Sequence, residues 1–242
     1  MTTWNGLPVA HMLRSCPPAP ADFAYYATHT TTRRNLAALA AAGIRVLLGP
    51  DQLDRGLQGH PTLRYALDNG AWGAFTKGGT FDDARFWAVL ERWGQVLERV
   101  ELPDWIVCPD IVAGGLDSLA LSLRWLPYVR QYGHPLIAVQ DGMSPEDVEE
   151  HIGPGCGIFL GGSTAWKWTT LPMWADMART YRAHLHVGRV NSERGIRVCR
   201  GHGVTSADGT SASRFAVNAP RLGAACRGPH QLGIPCHAPG AA

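Results

Sequence analysis

The sequence predicts a single-domain (βα)8 barrel. Eight short β-type runs occur along the 242 residues, and each is followed by a helical stretch or by a turn containing glycine or proline. No glycine-rich dinucleotide fingerprint follows the first run, which favours a closed barrel over a doubly wound open sheet with the same alternation. The chain length and the 45% content of hydrophobic residues suit one large core of this kind.

The elements can be placed by hydrophobic pattern. The predicted strands are Phe23–Ala27, Ile44–Leu48, Arg64–Leu67, Trp105–Cys108, Leu136–Val139, Gly157–Leu160, His184–Val187 and Gly203–Ser206. Apolar residues recur at helical steps in Arg33–Ala42, Asp82–Val100 and Leu116–Gln131, and Ser144 followed by Pro145 has the pattern of a helix N-cap. We assign residues 1–221 to the barrel. Residues 222–242 are rich in Gly, Pro and Ala without periodicity, so we expect an irregular C-terminal extension there.

Composition narrows the functional class. The chain contains no run of about 18 apolar residues, and its first residues lack the charged-then-apolar order of a signal peptide. Its six cysteines are scattered, as reduced intracellular thiols are, and Cys108 and Cys156 fall in strand-like runs that predict burial. We therefore expect a soluble cytoplasmic protein with no membrane partner.

Basic residues concentrate in the last third of the chain. Between Tyr181 and His230 there are eight arginines against two carboxylates, although the formal charge of the whole chain is only +2. Such a segment suits a polyanion, and it is equally typical of a solvated basic face.

Polar residues and glycines follow the apolar runs at six successive strand ends, and in a (βα)8 barrel these ends converge on one mouth. The strand-end residues are Asp68–Trp72, Pro109–Asp110, Gln140–Gly142, Gly161–Ser163, Gly188–Arg189 and Ala207–Thr210. Any one of them could be explained as a turn, because turns favour Asp, Asn and Gly. Together they predict a site that hydrogen-bonds a flat polar ligand and performs acid/base or nucleophilic chemistry.

Five of these segments, in order from Tyr65 to Phe215, carry a resemblance to a known family. DNGAW at 68–72 is similar to D-S-G-G-[FY], VQDG at 139–142 to V-Q-G-G, and LGG at 160–162 to a V-G-G strand end. HVGRV at 186–190 is similar to a G-V-G segment, and GVTSADGTS at 203–211 falls where the family has G-[IV]-D-x-F-D-C-V. The family is the tRNA-guanine transglycosylases, and the chain more closely resembles their DNA-modifying relatives of the DpdA type, many of them encoded by bacteriophages.

The resemblance implies a role for each matched residue. Asp208 would be the nucleophile and Asp68 the general acid/base, with no cofactor required for the chemistry. The substrate base would stack on Trp72, and its edge would meet a set of groups made up of Asn69, Asp110, Gln140, Gly161, Gly162, His186 and Gly188. Asp117 is the second choice for the base-recognition carboxylate, because CPDIVAGGLD departs from the family's spacing. Asp110 lies nearer the strand end, and a carboxylate accepts well from the donors of a guanine-type base.

The implied reaction exchanges guanine in DNA for a 7-deazaguanine base, such as 7-cyano-7-deazaguanine. DNA or tRNA and a free 7-deazaguanine base would be the partners. The predicted contacts to the nucleic acid are Lys167, Arg189, Arg194, Arg197 and Arg214. The chain is much shorter than the tRNA enzymes, which favours DNA.

The family's zinc motif, C-x-C-x-x-C with a distant His, is absent. A structural zinc ion would have to use the candidate ligands Cys226, His230, Cys236 and His237. Three other readings remain open at this point: a tRNA-guanine transglycosylase, a glycoside hydrolase with the same two carboxylates, and a non-catalytic nucleic-acid-binding subunit of the same fold.

Overall fold

The computed structural model describes residues 23–50, 52, 63–97 and 102–228. Its eight strands are parallel and hydrogen-bonded in chain order, and β8 pairs with β1 to close the barrel. The strands are β1 (Ala24–Thr28), β2 (Arg45–Leu48), β3 (Tyr65–Leu67), β4 (Ile106–Val107), β5 (Pro135–Val139), β6 (Gly157–Leu160), β7 (Leu185–Val187) and β8 (Ser206–Gly209). The predicted (βα)8 architecture is confirmed.

The helices lie between the strands. They are α1 (Arg33–Ala42), α2 (Ala71–Phe75), α3 (Asp83–Leu97), α4 (Gly115–Val129), α5 (Thr164–Thr180), α6 (Glu193–Gly201), α7 (Ser211–Arg214) and α8 (Ala219–Arg227). The first helix has the predicted bounds, and α4 begins one residue earlier and ends two residues earlier than predicted. Helix α3 begins one residue later than predicted, and its predicted end at Val100 lies outside the described residues. Ser144 does cap a helical segment, with a reciprocal bond to Asp147, but the segment is two short 3-10 turns.

The eighth strand begins later than the sequence predicts. Gly203 has a φ of +76°, and it directly follows His202, the C-cap residue of α6. A glycine with a left-handed backbone is a common way to end a helix, so this residue belongs to the helix end and cannot start the strand. The strand is Ser206–Gly209, and Asp208 therefore lies within β8, where it pairs with Tyr26 of β1.

The predicted irregular extension is wrong for its first residues. Helix α8 includes Leu222–Arg227, with Leu222, Gly223 and Ala225 buried, and it packs on α1 and α6. A helix of 9 residues that has a proline in its first turn and a glycine in its middle is hard to recognise from periodicity alone. Residues 229–242 lie outside the described part of the chain.

The core has two layers, one inside the barrel and one between the barrel and its helices. The inner layer is formed by alternate strand residues, namely Ala24, Tyr26, Leu47, Ala66, Trp105, Val107, Leu136 and Ala138, with Phe159 packed against them. The larger outer layer joins the other strand faces to the helices, and it contains the buried Cys108 and Cys156 predicted for the core. Because the interior is filled, the barrel is a scaffold for its loops and has no central channel.

Asp104 is buried at the N-terminal end of the barrel, away from the strand ends discussed above. It accepts hydrogen bonds from the Tyr26 hydroxyl at 2.8 Å, from Arg45 Nη1 at 2.8 Å and from Arg64 Nη2. These donors neutralise the carboxylate, as a buried charge requires. Asp104 is therefore explained by structure and is no candidate for chemistry.

Candidate functional site

A cavity of about 1100 Å³ opens at the C-terminal ends of the strands. Most of the predicted site residues line it: Asp68, Asn69, Trp72, Asp110, Gln140, Gly161, Gly162, Gly188, Arg189 and Asp208. They come from loops or strand ends of β3, β4, β5, β6, β7 and β8, so the closed barrel brings together residues up to 140 positions apart. This is the end of the barrel where such enzymes hold their active sites.

Asp208 is held in the cavity floor through one of its two carboxyl oxygens. Oδ1 lies 3.0 Å from His186 Nε2 and 3.3 Å from the Arg189 backbone nitrogen. Oδ2 has no hydrogen-bond partner among the described residues. Because the side chain is 10% exposed and lines the cavity, Oδ2 is the oxygen left to meet a ligand.

Asp68 follows β3 and faces the same cavity. Burial raises its pKa to about 6; a hydrogen bond from the Gly70 N–H at 2.8 Å opposes the shift, and the negative charge of Asp208 adds to it. A carboxyl group with this pKa can both give and take a proton near neutral pH, which is what general acid/base chemistry needs.

Asp110 is a third carboxyl group of the cavity, and Asn69 fixes its position. The Asn69 amide nitrogen donates to Asp110 Oδ1 at 2.7 Å and to the Cys108 carbonyl at 2.6 Å, while the Asn69 oxygen accepts from the Ala71 N–H. Burial raises the pKa of Asp110 to about 6, against the opposing effect of the Asn69 bond. Asn69 therefore acts through Asp110, since its own polar atoms are already engaged.

The second choice for base recognition, Asp117, lies elsewhere. It is exposed in the first turn of α4 and does not line the cavity. The geometry therefore favours Asp110 for this role.

Gln140 and the two glycines after β6 contribute specific polar atoms. Gln140 is buried and donates through Nε2 to the Ile111 carbonyl at 2.9 Å, which leaves its Oε1 directed elsewhere and unbonded among the described residues. The Gly161 N–H donates to the Val139 carbonyl, so it is not available to a ligand. A side chain at Gly162 is excluded, because its φ is +71° and a Cβ would lie 2.6 Å from Asp141 Oδ2. The Gly162 N–H has no partner within the described ranges, so it is available to a ligand.

Trp72 stands at the cavity mouth, on α2. Its side chain is 49% exposed, and Phe75, exposed to the same extent, lies beside it with the ring centroids 5.8 Å apart. A large aromatic side chain so exposed is not held there by the core, and a flat ring at a cavity mouth is suited to stacking.

Gly188 contributes space to the cavity, because its own N–H and carbonyl are bonded within the protein. Its N–H donates to the Leu160 carbonyl at 3.0 Å, and its carbonyl accepts from Lys167. A Cβ at this position would meet Phe159 at 3.0 Å and Asp208 Oδ1 at 3.5 Å. The missing side chain therefore keeps the approach to Asp208 open.

Two of the predicted contact residues do not reach a ligand. His186 is fully buried beneath Asp208 and does not line the cavity, so the prediction that it binds the substrate directly is wrong. Lys167 is only 1% exposed, and its ammonium group donates to the carbonyl of Gly188, the residue directly after β7. Burial lowers the pKa of Lys167 to about 8. A lysine in this position cannot contact the phosphates of a polymer.

The arginines of the last third do not form one patch. Arg182 precedes β7 and so lies at the N-terminal end of the barrel, opposite the cavity. Arg200 and Arg227 bond main-chain carbonyls at helix ends, and Arg197 pairs with Glu193 at 3.5 Å. The predicted contacts that remain exposed at the cavity end are Arg189, Arg194 and Arg214.

Asn191 was not among the predicted site residues. It lines the cavity, and its Oδ1 accepts from the backbone nitrogens of Thr210 at 2.8 Å and Ser211 at 3.1 Å. These N–H groups, at the loop after β8 and the start of a short extra helix, are where many (βα)8 enzymes bind a phosphate group. Here a side chain occupies them. No sequence signal marks Asn191, because its partners are 19 and 20 residues away.

The metal and membrane predictions are tested only in part. Cys226 is a half-buried free thiol on α8, whereas His230, Cys236 and His237 lie outside the described residues. Within the described ranges no three His, Cys, Asp or Glu side chains group in a way that could hold a metal ion, and the zinc site stays a prediction. No helix in this part of the chain is long and apolar enough to span a membrane.

Comparison with known proteins supports the fold. No family model matches the chain, and no curated protein matches its sequence. A tryptophan synthase from M. tuberculosis, solved in an aminoacrylate- and BRD0059-bound form, superposes with a TM-score of 0.53 at 13% identity, covering 85% of this chain and 92% of that one. A protein described as a fructose-1,6-biphosphate aldolase from Coccidioides immitis gives 0.54 at 13% identity over 84% and 87%. A structure from Aquifex aeolicus VF5 gives 0.50 at 11% identity over 85% and 90%. These similarities are similarities of fold.

Proposed function

We propose that this chain is an enzyme that exchanges guanine in DNA for a 7-deazaguanine base through a covalent intermediate on Asp208. One observation carries the proposal: Asp208 and Asp68 face the same cavity as Asp110, Gln140 and the Gly162 N–H, a set of groups that suits the polar edge of a purine-like base. The tryptophan synthase and aldolase folds, which belong to enzymes, are compatible with catalysis at this end of a barrel.

The free polar atoms of the cavity match the edge of guanine. Guanine and its 7-deaza relatives present an N1–H and a 2-amino group as donors and O6 as an acceptor. Asp110 Oδ2 and Gln140 Oε1 are free acceptors among the described residues, and the Gly162 N–H is a free donor for O6. Two similar bases must use one pocket in turn during an exchange, and both present this edge.

The proposed reaction is a double displacement at C1′ of the nucleotide. Asp208 Oδ2 attacks C1′ while the bond from C1′ to guanine N9 breaks, and Asp68 supplies the proton that the departing base takes up. The incoming base then gives a proton to Asp68 and attacks C1′, which releases Asp208 and gives net retention. Each displacement exchanges one C1′ bond for another, and no oxidant or cofactor is consumed.

The cavity argues against two of the rival readings. A sugar-only pocket would have no use for Gln140 and Gly162, which line the cavity together with the carboxylates. A binding subunit without catalysis would have no reason to keep Asp68 and Asp110 buried with raised pKa values, because burying carboxyl groups costs stability. Asn191 also argues against a substrate anchored through a terminal phosphate, since it fills that position.

A base-exchange assay tests the proposal. The protein is incubated with radiolabelled guanine and either duplex DNA, single-stranded DNA or unmodified tRNA, with the Asp208→Asn variant as the matched control. We expect label to enter DNA with the parent protein alone. Label in tRNA would change the polymer and keep the chemistry, whereas no label in any polymer, with bound guanine detected by calorimetry, would reduce the proposal to base binding.

A further inference from the structure

A chain of buried polar side chains runs from Asp208 into the barrel interior. His186 Nε2 lies 3.0 Å from Asp208 Oδ1, and His186 Nδ1 lies 2.8 Å from the Ser206 hydroxyl oxygen. The same hydroxyl lies 2.7 Å from His184 Nε2. His184, His186 and Ser206 are all buried, and none of them lines the cavity, so the chain can act on a substrate only through Asp208.

This series of hydrogen-bonded side chains contains the residue types of a Ser-His-Asp triad but not its arrangement. In a hydrolase triad the serine meets the substrate and the carboxylate lies behind the histidine. Here the order is reversed, because Asp208 faces the cavity and Ser206 is 0% exposed. The carboxylate is therefore the end of the chain that can act as a nucleophile.

The number of protons restricts how the chain is bonded. Ser206 has one hydroxyl proton, so it donates to one histidine and accepts from the other. If it donates to His186 Nδ1, the single proton of a neutral His186 is on Nε2 and is donated to Asp208. If Ser206 instead accepts from His186 Nδ1, the single proton of a neutral His186 is on Nδ1 and its Nε2 carries none. A hydrogen bond between Nε2 and Asp208 would then need a proton on Asp208. The Arg189 backbone N–H, which can only donate, also points at Oδ1 and favours the first direction.

The surroundings of His186 favour a neutral ring. Phe159 stacks on it with centroids 4.8 Å apart and an interplanar angle of 24°, and the Trp105 ring lies 4.3 Å away. Burial lowers the pKa of His186 against the opposing pull of Asp208, and burial also lowers that of His184. The other groups that face the ring are Lys167 from α5 and the Tyr26 hydroxyphenyl group from β1.

We propose that His186 and Ser206 are positioning residues, which hold Asp208 as a carboxylate with Oδ2 turned toward the cavity. His186 stays neutral as its Nε2–H tautomer, and Ser206 selects that tautomer. The inference rests on the proposed role of Asp208 as nucleophile. It adds to the site two residues, His186 and Ser206, that do not contact the substrate.

Nitrogen-15 NMR of the histidine side chains tests the inference without reference to activity. We expect His186 to remain a single neutral Nε2–H tautomer from about pH 5 to 8, the range in which an unperturbed histidine titrates. Ser206→Ala removes the donor to Nδ1, so the His186 resonances should change toward a mixture of tautomers. The matched control is His134→Phe, because His134 is also a buried barrel histidine but its Nε2 has no hydrogen-bond partner in the described part of the chain.

Kinetics then separate positioning from binding. His186→Phe removes a hydrogen bond to a charged group and should lower the rate of base exchange by about 10- to 100-fold. Ser206→Ala removes a hydrogen bond between neutral groups and should lower the rate by about 2- to 10-fold. The Kd for free guanine should stay within about twofold, a change of less than about 0.5 kcal/mol. His186→Gln, whose amide can still donate to Asp208, should recover part of the rate, and His134→Phe should behave as the parent.

An imidazolium or an Nδ1–H tautomer at His186 in the parent protein would overturn the inference, and so would full exchange activity in Ser206→Ala. If the parent exchanges no base at all, the proposed function fails. The NMR result would still decide whether the chain holds Asp208 as a carboxylate.

Discussion

The Arg189 guanidinium lies 4.8 Å from the centroid of the Trp72 ring, so the loop after β7 reaches across the cavity mouth to α2. The same guanidinium donates through Nη2 to the Gly162 carbonyl. The cation covers one face of Trp72, and the side chain is still 49% exposed, so it keeps surface on which a flat ligand can stack.

Replacing Trp72 by alanine should weaken base binding without disturbing the fold. Base stacking on an aromatic side chain is worth roughly 1 to 3 kcal/mol, which corresponds to an increase in Kd of about 5- to 150-fold for guanine and 7-deazaguanine alike. The melting temperature should change little, because the side chain is half exposed. Calorimetry with free bases measures the first effect. Phe215→Ala is the control, since Phe215 is 60% exposed and does not line the cavity, and an equal loss of binding there would deny Trp72 a specific role.

Replacing Gln140 by leucine should change which bases are accepted. The substitution removes an acceptor from a buried position, so ligands that used it would leave a polar group unpaired at a cost of about 1 to 3 kcal/mol. Inhibition constants for guanine, 7-deazaguanine and 7-cyano-7-deazaguanine measure the ranking. The loss of the Nε2 bond to Ile111 also loosens the loop after β4, so a thermal melt must accompany the assay. An unaltered ranking in a folded variant would remove Gln140 from the base contacts.

Replacing Asp208 by asparagine should abolish both base exchange and the covalent adduct with DNA. Asparagine retains the size of the side chain and an oxygen that can accept from His186 and Arg189, so the fold should persist. Denaturing gel electrophoresis of the protein with labelled DNA detects the adduct, and circular dichroism reports the fold. Exchange above a few per cent of the parent rate would transfer the nucleophile role to Asp68 or Asp110.

The architecture was predictable from the sequence because each strand is a local signal. The runs around Ile106 and Ile158 are continuously apolar, as strands buried on both faces are, and the turn residues after them mark the strand ends. The start of β8 was not predictable in the same way. Gly203 and Val204 look like a strand beginning, and only the end of α6 assigns the glycine to a helix cap.

The site was predictable as far as the positions of the strand ends specify residues. Asp68, Asp110, Gln140 and Asp208 line one cavity because a closed parallel barrel directs its strand ends to one mouth. Pattern could not show that His186, which alternates with Leu185 and Val187, points below the cavity floor. The prediction that Lys167 contacts nucleic acid was wrong for the same reason, because burial depends on how α5 packs against β7.

The stability of the protein should fall as pH rises through the titration of Asp68. The pKa of this carboxyl group is about 6 in the folded chain, above the ordinary value of 3.8, so between these values ionisation favours the unfolded state. The contribution of Asp68 to the free energy of unfolding is fully present below about pH 4 and is lost by about pH 7. Its upper bound is about 3 kcal/mol, for a pKa that is raised by about two units. Asp68→Asn cannot ionise. It should therefore melt above the parent at neutral pH and together with it at about pH 4.

Asp141→Asn is the matched control for this effect, with the opposite sign. Although partial burial acts against it, the two hydrogen bonds from Ser163 keep the pKa of Asp141 below its ordinary value. Removing that charge should destabilise the protein at neutral pH and have no effect in acid. Calorimetric melts of the three proteins across the range measure both differences. If the melting temperatures of Asp68→Asn and the parent changed in parallel with pH, the pKa of Asp68 would not be raised in the folded protein.

Binding to DNA should depend on the arginines at the cavity end of the barrel and on no others. Arg194 and Arg214 are exposed there, and their side chains make no hydrogen bond or ion pair with the described residues, so both are available to phosphates. Reversing both charges, Arg194→Glu with Arg214→Glu, should weaken binding and reduce the slope of log K against log salt concentration by about two, because each lost phosphate contact releases about one counterion fewer.

The matched control is Arg179→Glu with Arg182→Glu, which makes the same change in net charge at the opposite end. Fluorescence anisotropy with a labelled duplex at several salt concentrations compares the three proteins. Equal loss in both double variants would mean that net charge alone attracts DNA, and unchanged binding in both would place the phosphate contacts on another face of the barrel.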